Sequence, residues 1–131
     1  MVVVDTSVWV DLFRGRRSSA VTAYQALLAD GSPVGLTDVI YMEILQGAAT
    51  EAEQRELDDR LRAFPILRLG RLADFRLAAE LHRAARQAGI TLRSKLDFLI
   101  AAACVGAGVP ILHSDSDFDR LASCTGLRVF D

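Results

Sequence analysis

Val2-Val3-Val4-Asp5-Thr6-Ser7 is the stretch around which this chain is organised. Three consecutive β-branched residues read as a short strand buried on both faces, as at the centre of a parallel sheet, because branched side chains pack well on a pleated surface. The strand ends in a carboxylate. Beyond it, Thr6-Ser7-Val8-Trp9-Val10-Asp11-Leu12-Phe13 sets Val8 with Leu12 and Trp9 with Phe13 at i, i+4, the spacing of one helical face. Asp5 therefore stands where strand turns into helix. In open α/β sheets ligands bind in the crevice outside the carboxyl ends of the strands, so the decisive point is which other acids the chain delivers to that edge.

After the first helix, Arg14-Gly15-Arg16-Arg17-Ser18-Ser19 is a basic turn, and Ser18 or Ser19 caps a second helix that runs to about Asp30. Gly31-Ser32-Pro33 breaks it. Val34-Gly35-Leu36 is a short strand, and Thr37 or Asp38 caps a third helix that passes through Tyr41, Glu43 and Leu45 to Gly47. Thr50-Glu51-Ala52-Glu53 opens a fourth, with acids in its first turn as the helix dipole favours. Phe64-Pro65 ends it. Residues 66–69 read as a third strand and residues 72–88 as a long fifth helix closed by Gly89. Ser94 caps a helix over residues 95–107, and Gly108-Val109-Pro110 leads into the strand Ile111-Leu112-His113. A short helix around residues 118–122 and a last strand, Leu127-Arg128-Val129, complete the pattern. Strands separated by helices predict an α/β fold in which a parallel sheet is covered on both faces, a three-layer α/β/α sandwich. No repeat or linker interrupts it, so residues 1–131 are expected to form one domain, long enough to bury a real core.

Composition narrows the setting. No apolar run approaches the length of a membrane span, and the first residues lack the basic-then-apolar pattern of a signal peptide. A cytoplasmic protein with no membrane partner is expected. Cys104 lies in a helix interior, and a cytosol would keep it and Cys124 reduced, so neither reads as catalytic. The net charge of −2 gives no basic field that would advertise nucleic acid. It conceals an asymmetry, because the 15 basic residues are arginines apart from Lys95, and arginine suits bidentate phosphate contacts.

Asp5 is placed to cap the helix that follows it. Ser94-Lys95-Leu96-Asp97 resembles a capping box with Asp where Glu is usual, and capping alone explains Asp97. Asp115 and Asp117 can cap or open the short helix after the fourth strand. Glu43 differs, because Val39, Ile40 and Ile44 surround it on an apolar helical face with no Lys or Arg within a turn. Taken together the acids say more. Asp5 and Asp115 each follow a strand, Asp97 opens the helix leading into the Asp115 strand, and Glu43 lies on the helix after the second strand. Chains wound this way deliver such positions to one sheet edge. Several carboxylates in one pocket cannot all ionise cheaply without a cation, and hard oxygen ligands without a His or Cys cluster point to Mg²⁺ or Mn²⁺.

Val-Val-Asp-Thr-Ser at the start, Glu43-Ile44-Leu45-x-Gly47, Asp97-Phe98-Leu99-Ile100-Ala101-Ala102 and Asp115-Ser116-Asp117-Phe118 occur in the order and spacing of PIN-domain ribonucleases. The chain most resembles the VapC toxins of bacterial VapBC toxin–antitoxin pairs, over essentially its whole length. The resemblance implies an acidic quartet of Asp5, Glu43, Asp97 and Asp115 holding Mg²⁺ or Mn²⁺, with Asp117 as an accessory acid. Thr6 or Ser7, and Ser114, would be hydroxyl-bearing neighbours of the site. The implied reaction is metal-assisted hydrolysis of RNA phosphodiester bonds. An acidic pocket repels RNA, and Arg14, Arg16, Arg17, Arg93 and Lys95 are candidates to draw the backbone in, although each also reads as solvated surface.

Other classes fit less well. A haloacid-dehalogenase-type phosphatase needs a second Asp two positions after the first, where Ser7 stands, and a receiver domain needs a lysine after its last strand. No Walker loop is present, and Gly106-x-Gly108 lacks the third glycine of a dinucleotide fingerprint. A catalytically inactive PIN-like module that binds RNA or protein is the remaining alternative, and the intact acids argue against it. Trp9, Leu12, Phe13, Tyr24 and Leu28 offer more apolar surface on the first two helices than a thin layer must bury, which reads equally as core or as a groove for a partner segment. The resemblance adds a homodimer and a VapB-type antitoxin as partners.

Overall fold

In the computed structural model, which describes all 131 residues, β1 (Val2–Val4) forms where the valine run places it and all three side chains are buried. It pairs in parallel with β2 (Val34–Thr37) through Val2 to Val34 and Val3 to Gly35. On its other side it pairs in parallel with β4 (Ile111–Leu112) through Val3 to Ile111 and Val4 to Leu112. β3 (Ile66–Leu67) adds to β2, giving the order β3-β2-β1-β4. The chain thus steps outward from β1 to β3 and then returns to the far side of β1. That reversal, between β1 and β4, is where a crevice opens at the carboxyl ends of such sheets.

The helices sort accordingly. α1 (Thr6–Phe13) packs on α2 (Ser19–Ala29) and α3 (Asp38–Gln46), and α3 packs on α4 (Glu51–Leu61). α5 (Leu72–Gln87) packs on α6 (Leu96–Ala107), and this pair carries the chain from β3 back to β4 on the far side of β1. α7 (Ser116–Ala122) follows β4. The expected three-layer sandwich is present, and no helix is long and apolar enough to cross a membrane.

The core is continuous through both faces of the sheet, with Val3, Val4, Leu36, Ile40, Ile100 and Ile111 fully buried. Trp9 ties α1 to it. Its indole lies among Phe13, Tyr24 and Phe64, and its Nε1 donates a 2.8 Å hydrogen bond to the Val4 carbonyl, one residue before Asp5. Gly35 is required by close approach, since a Cβ there would stand 2.6 Å from the Pro65 carbonyl oxygen and 2.9 Å from the Met1 sulfur.

Several local expectations are corrected. The sixth helix starts at Leu96, and Ser94 Oγ accepts from Leu96 N at 3.2 Å, so the Ser94-to-Asp97 capping box does not form. The third strand stops at Leu67, and β4 stops at Leu112, beyond which the backbone N–H groups of Ser114 and Asp115 donate to the side chains of Ser7 and His113 rather than to a neighbouring strand. α7 begins at Ser116 because Asp115 caps it, accepting from Asp117 N at 3.0 Å. The expected last strand reduces to one parallel bridge, Ile111 to Val129, because β4 is too short to pair with more.

Candidate active site

β1 carries Asp5 directly to the carboxyl edge, where it caps α1 through Oδ2, which accepts from Ser7 N at 3.2 Å and Ser7 Oγ at 2.7 Å. Ser114 N in turn donates to Ser7 Oγ at 3.3 Å, joining the end of β4 to the first turn of α1. Thr6 Oγ1 donates to Glu43 Oε1 at 2.7 Å, which brings the α3 carboxylate to the same turn and supplies the partner its apolar helical face lacks. Asp97 is 8% exposed in the first turn of α6 and accepts no hydrogen bond from the protein. Asp115 Oδ1 accepts from Asp117 N and, at 2.9 Å, from Arg93 Nη2. Oxygens of Asp97, Asp115 and Asp117 lie within 4.8 Å of one another.

These acids act on one another's ionisation. Burial pushes the Asp97 carboxyl up to about 7, and the charges of Asp5, Asp115, Glu43 and Asp117 push in the same direction. Burial also raises Asp5, against hydrogen bonds from Ser7 and Thr6 and the nearby His113. Glu43 is raised by burial and by Asp5, with its Thr6 hydrogen bond opposing. Asp117 goes the other way: burial disfavours its charge, but the Arg93 backbone and guanidinium and Arg120 outweigh it and hold the carboxyl below its usual range. A buried carboxylate without a donor, ringed by other carboxylates, is a site that a hard cation fits.

Comparisons with known proteins identify the family. The sequence pattern described as the PIN domain matches residues 2–123. Ribonuclease VapC11 of Mycobacterium tuberculosis is 40% identical over 129 residues, covering 98% of this chain and 96% of that protein. This chain belongs to the VapC branch of the PIN-domain family. Among solved structures, VapBC2 from Rickettsia felis, bound to a DNA fragment from its promoter, shares the fold at a TM-score of 0.78 and 17% identity, over 99% of this chain and 98% of that one. FitAcB from Neisseria gonorrhoeae does so at 0.74 and 19% identity, over 100% of this chain and 97% of that one.

This PIN domain brings Asp5, Glu43, Asp97, Asp115 and Asp117 together, with Thr6, Ser7 and Ser114 beside them. The basic residues divide. Arg93 is at the site, but its guanidinium is paired with Asp115 and Asp117 while its side chain stays 77% exposed. Lys95 is exposed on the turn before Asp97. Arg14, Arg16 and Arg17 are not brought to the acids. α1 starts at the site and runs away from it, so an eight-residue helix puts them about 12 Å distant along its axis, where Arg16 faces Asp11 at 3.8 Å.

Two residues of this PIN domain escaped the sequence reading. The His113 ring accepts from Asp115 N through Nδ1 at 3.0 Å, so Nε2 carries the proton and faces Asp119 Oδ1 at 3.1 Å, fixing the loop that bears Asp115. Arg120 Nη1 reaches Asp117 Oδ1 at 3.2 Å, a pairing that only the i, i+3 spacing hinted at. Both cysteines are free, and burial pushes the Cys104 thiol up to about 12, far from a nucleophile.

Proposed function

We propose that this PIN domain is the toxin ribonuclease of a toxin–antitoxin pair and hydrolyses RNA phosphodiester bonds with Mg²⁺ or Mn²⁺ held by Asp5, Glu43, Asp97 and Asp115. The observation that carries the reading is Asp97, a buried carboxylate with no protein donor that faces the other acids, in a chain 40% identical to a VapC ribonuclease. A bound divalent cation supplies a water of lowered pKa and neutralises charge that grows on the phosphate. The protein's own groups do the placing. Ser7 holds Asp5, Thr6 holds Glu43, and the Ser7 to Ser114 link keeps β1 and β4 in register at the edge. Arg93 and Lys95, exposed on the turn before Asp97, meet the RNA backbone that the acids alone would repel.

Purified protein is expected to cut RNA with Mg²⁺ or Mn²⁺ and to stop in EDTA. Gel electrophoresis of a long RNA with each addition checks this. Cleavage that persists in EDTA would overturn the metal assignment, and RNA retention without cleavage under any condition would favour the binding-module alternative.

The proposed partner is a VapB-type antitoxin. An open groove of about 470 Å³ is lined by Trp9, Leu12, Phe13, Tyr24, Ala63 and Phe64, with the Arg60 guanidinium 4.5 Å above the Phe13 ring. Of the five apolar residues on α1 and α2, Trp9 and Tyr24 are buried, Leu12 and Phe13 are half-buried at the groove, and Leu28 is exposed outside it. A homodimer belongs to the same proposal. Co-expression with the adjacent reading frame should yield a complex that survives gel filtration at micromolar concentration; separate elution of both proteins would sink it.

A further inference from the structure

Asp117 is bound differently from the other acids. It is 3% exposed, and both of its oxygens are occupied. Oδ2 accepts from Arg93 N at 3.2 Å and from Arg93 Nε at 3.4 Å, and Oδ1 accepts from Arg120 Nη1 at 3.2 Å. The same Arg120 Nη1 donates to the Thr91 carbonyl at 3.1 Å. We propose that Asp117 is a positioning residue that fastens the turn of residues 91–95 to α7, and so places Asp97 and Asp115, without itself holding the cation. This inference rests on the nuclease reading and deepens it.

The turn is anchored at Thr91 and at Arg93, and both anchors meet on Asp117. Asp97 follows within one turn of chain, its N–H donating to the Ser94 carbonyl at 3.3 Å, so the place where α6 starts is set by the anchored segment. Asp115 is fixed from the same side: its Oδ1 accepts from the Asp117 N–H and from Arg93 Nη2, while no donor engages Oδ2. A divalent ion on Asp117 would have to displace these donors and then stand against two guanidinium groups, which is like-charge repulsion at short range. Asp97, with no donor and no arginine, faces neither obstacle.

The test compares Asp117→Asn with Arg120→Ala, which removes no acid. Mn²⁺ affinity is measured by titration calorimetry, kcat and KM on RNA at saturating Mn²⁺, and folding by thermal unfolding. Both variants should bind Mn²⁺ nearly as wild type, lower kcat about tenfold with KM little changed, and combine in the double variant with no further loss. Arg120→Lys, whose ammonium can reach both acceptors, should restore kcat. If Asp117→Asn loses Mn²⁺ binding as Asp97→Asn does while Arg120→Ala keeps full activity, Asp117 is a ligand and the inference is wrong. Should Asp117→Asn not fold, full kcat in folded Arg120→Ala overturns it equally. Absence of Mn²⁺ binding in the wild type would remove the nuclease reading and this inference together, whereas loss confined to Asp117→Asn removes only the latter.

Discussion

Asp97→Asn is expected to lower RNA cleavage about a hundredfold or more at saturating Mg²⁺, and Asp5→Asn by a similar factor. Each substitution keeps the shape of the side chain and removes the charged oxygen that a cation needs. Asp97 makes the cleaner case, because its carboxylate accepts no protein hydrogen bond and the amide therefore breaks none. At Asp5 the cap on Ser7 survives, since asparagine caps helices about as well as aspartate. Loss of activity in folded protein is then a loss of chemistry rather than of structure. Initial rates on a single RNA, with circular dichroism of each variant, measure it, and activity retained in both variants would remove these acids from the mechanism.

The same Asp97→Asn change should stabilise the protein when metal is withheld. Folding raises the Asp97 carboxyl from 3.8 to about 7, so between these values the folded chain holds a proton that the unfolded chain has released. Stability from this group is therefore present at low pH and lost as pH rises through about 7. In EDTA the wild-type Tm should fall between about pH 5.5 and pH 8, and the Asp97→Asn Tm should change less and lie higher at pH 8. For a chain of this length each kcal/mol relieved appears as about 4 °C. Mg²⁺ should raise the wild-type Tm by mass action, more at pH 8 than at pH 5.5, because the ligand must be deprotonated, and should raise the variant less. A variant that melts below wild type at pH 8 in EDTA, with an undiminished Mg²⁺ response, would make Asp97 a structural residue.

What the sequence made legible follows from how local each signal is. Val2 to Val4 fixed a central strand because three β-branched residues fit little else, and Asp5 inherited its place from that strand. Glu43 stood out because a carboxylate on an apolar helical face needs a partner, and Thr6 is that partner, though its distance in sequence hid it. Asp97 was legible only as one member of a set, since its local pattern spelled a cap that Ser94 does not supply. The basic turn at Arg14 to Arg17 is close to Asp5 in sequence but a helix away in space, because eight residues wind into α1 between them. Arg120 and His113 act through contacts made only after β4 and α7 are in place, and Val129 lost its strand partners to the shortness of β4.

Trp9 is the only tryptophan in the chain. Its ring lines the groove beside Phe13, Tyr24 and Phe64, and its Nε1 is bonded to the carbonyl that immediately precedes Asp5. Light absorbed at the red edge of the aromatic band therefore excites a single emitter, seated between the groove proposed for a partner and the strand that bears the first acid. Its colour and anisotropy give an unlabelled optical readout of both, and filling of the groove can be followed in real time by fluorescence on the native chain.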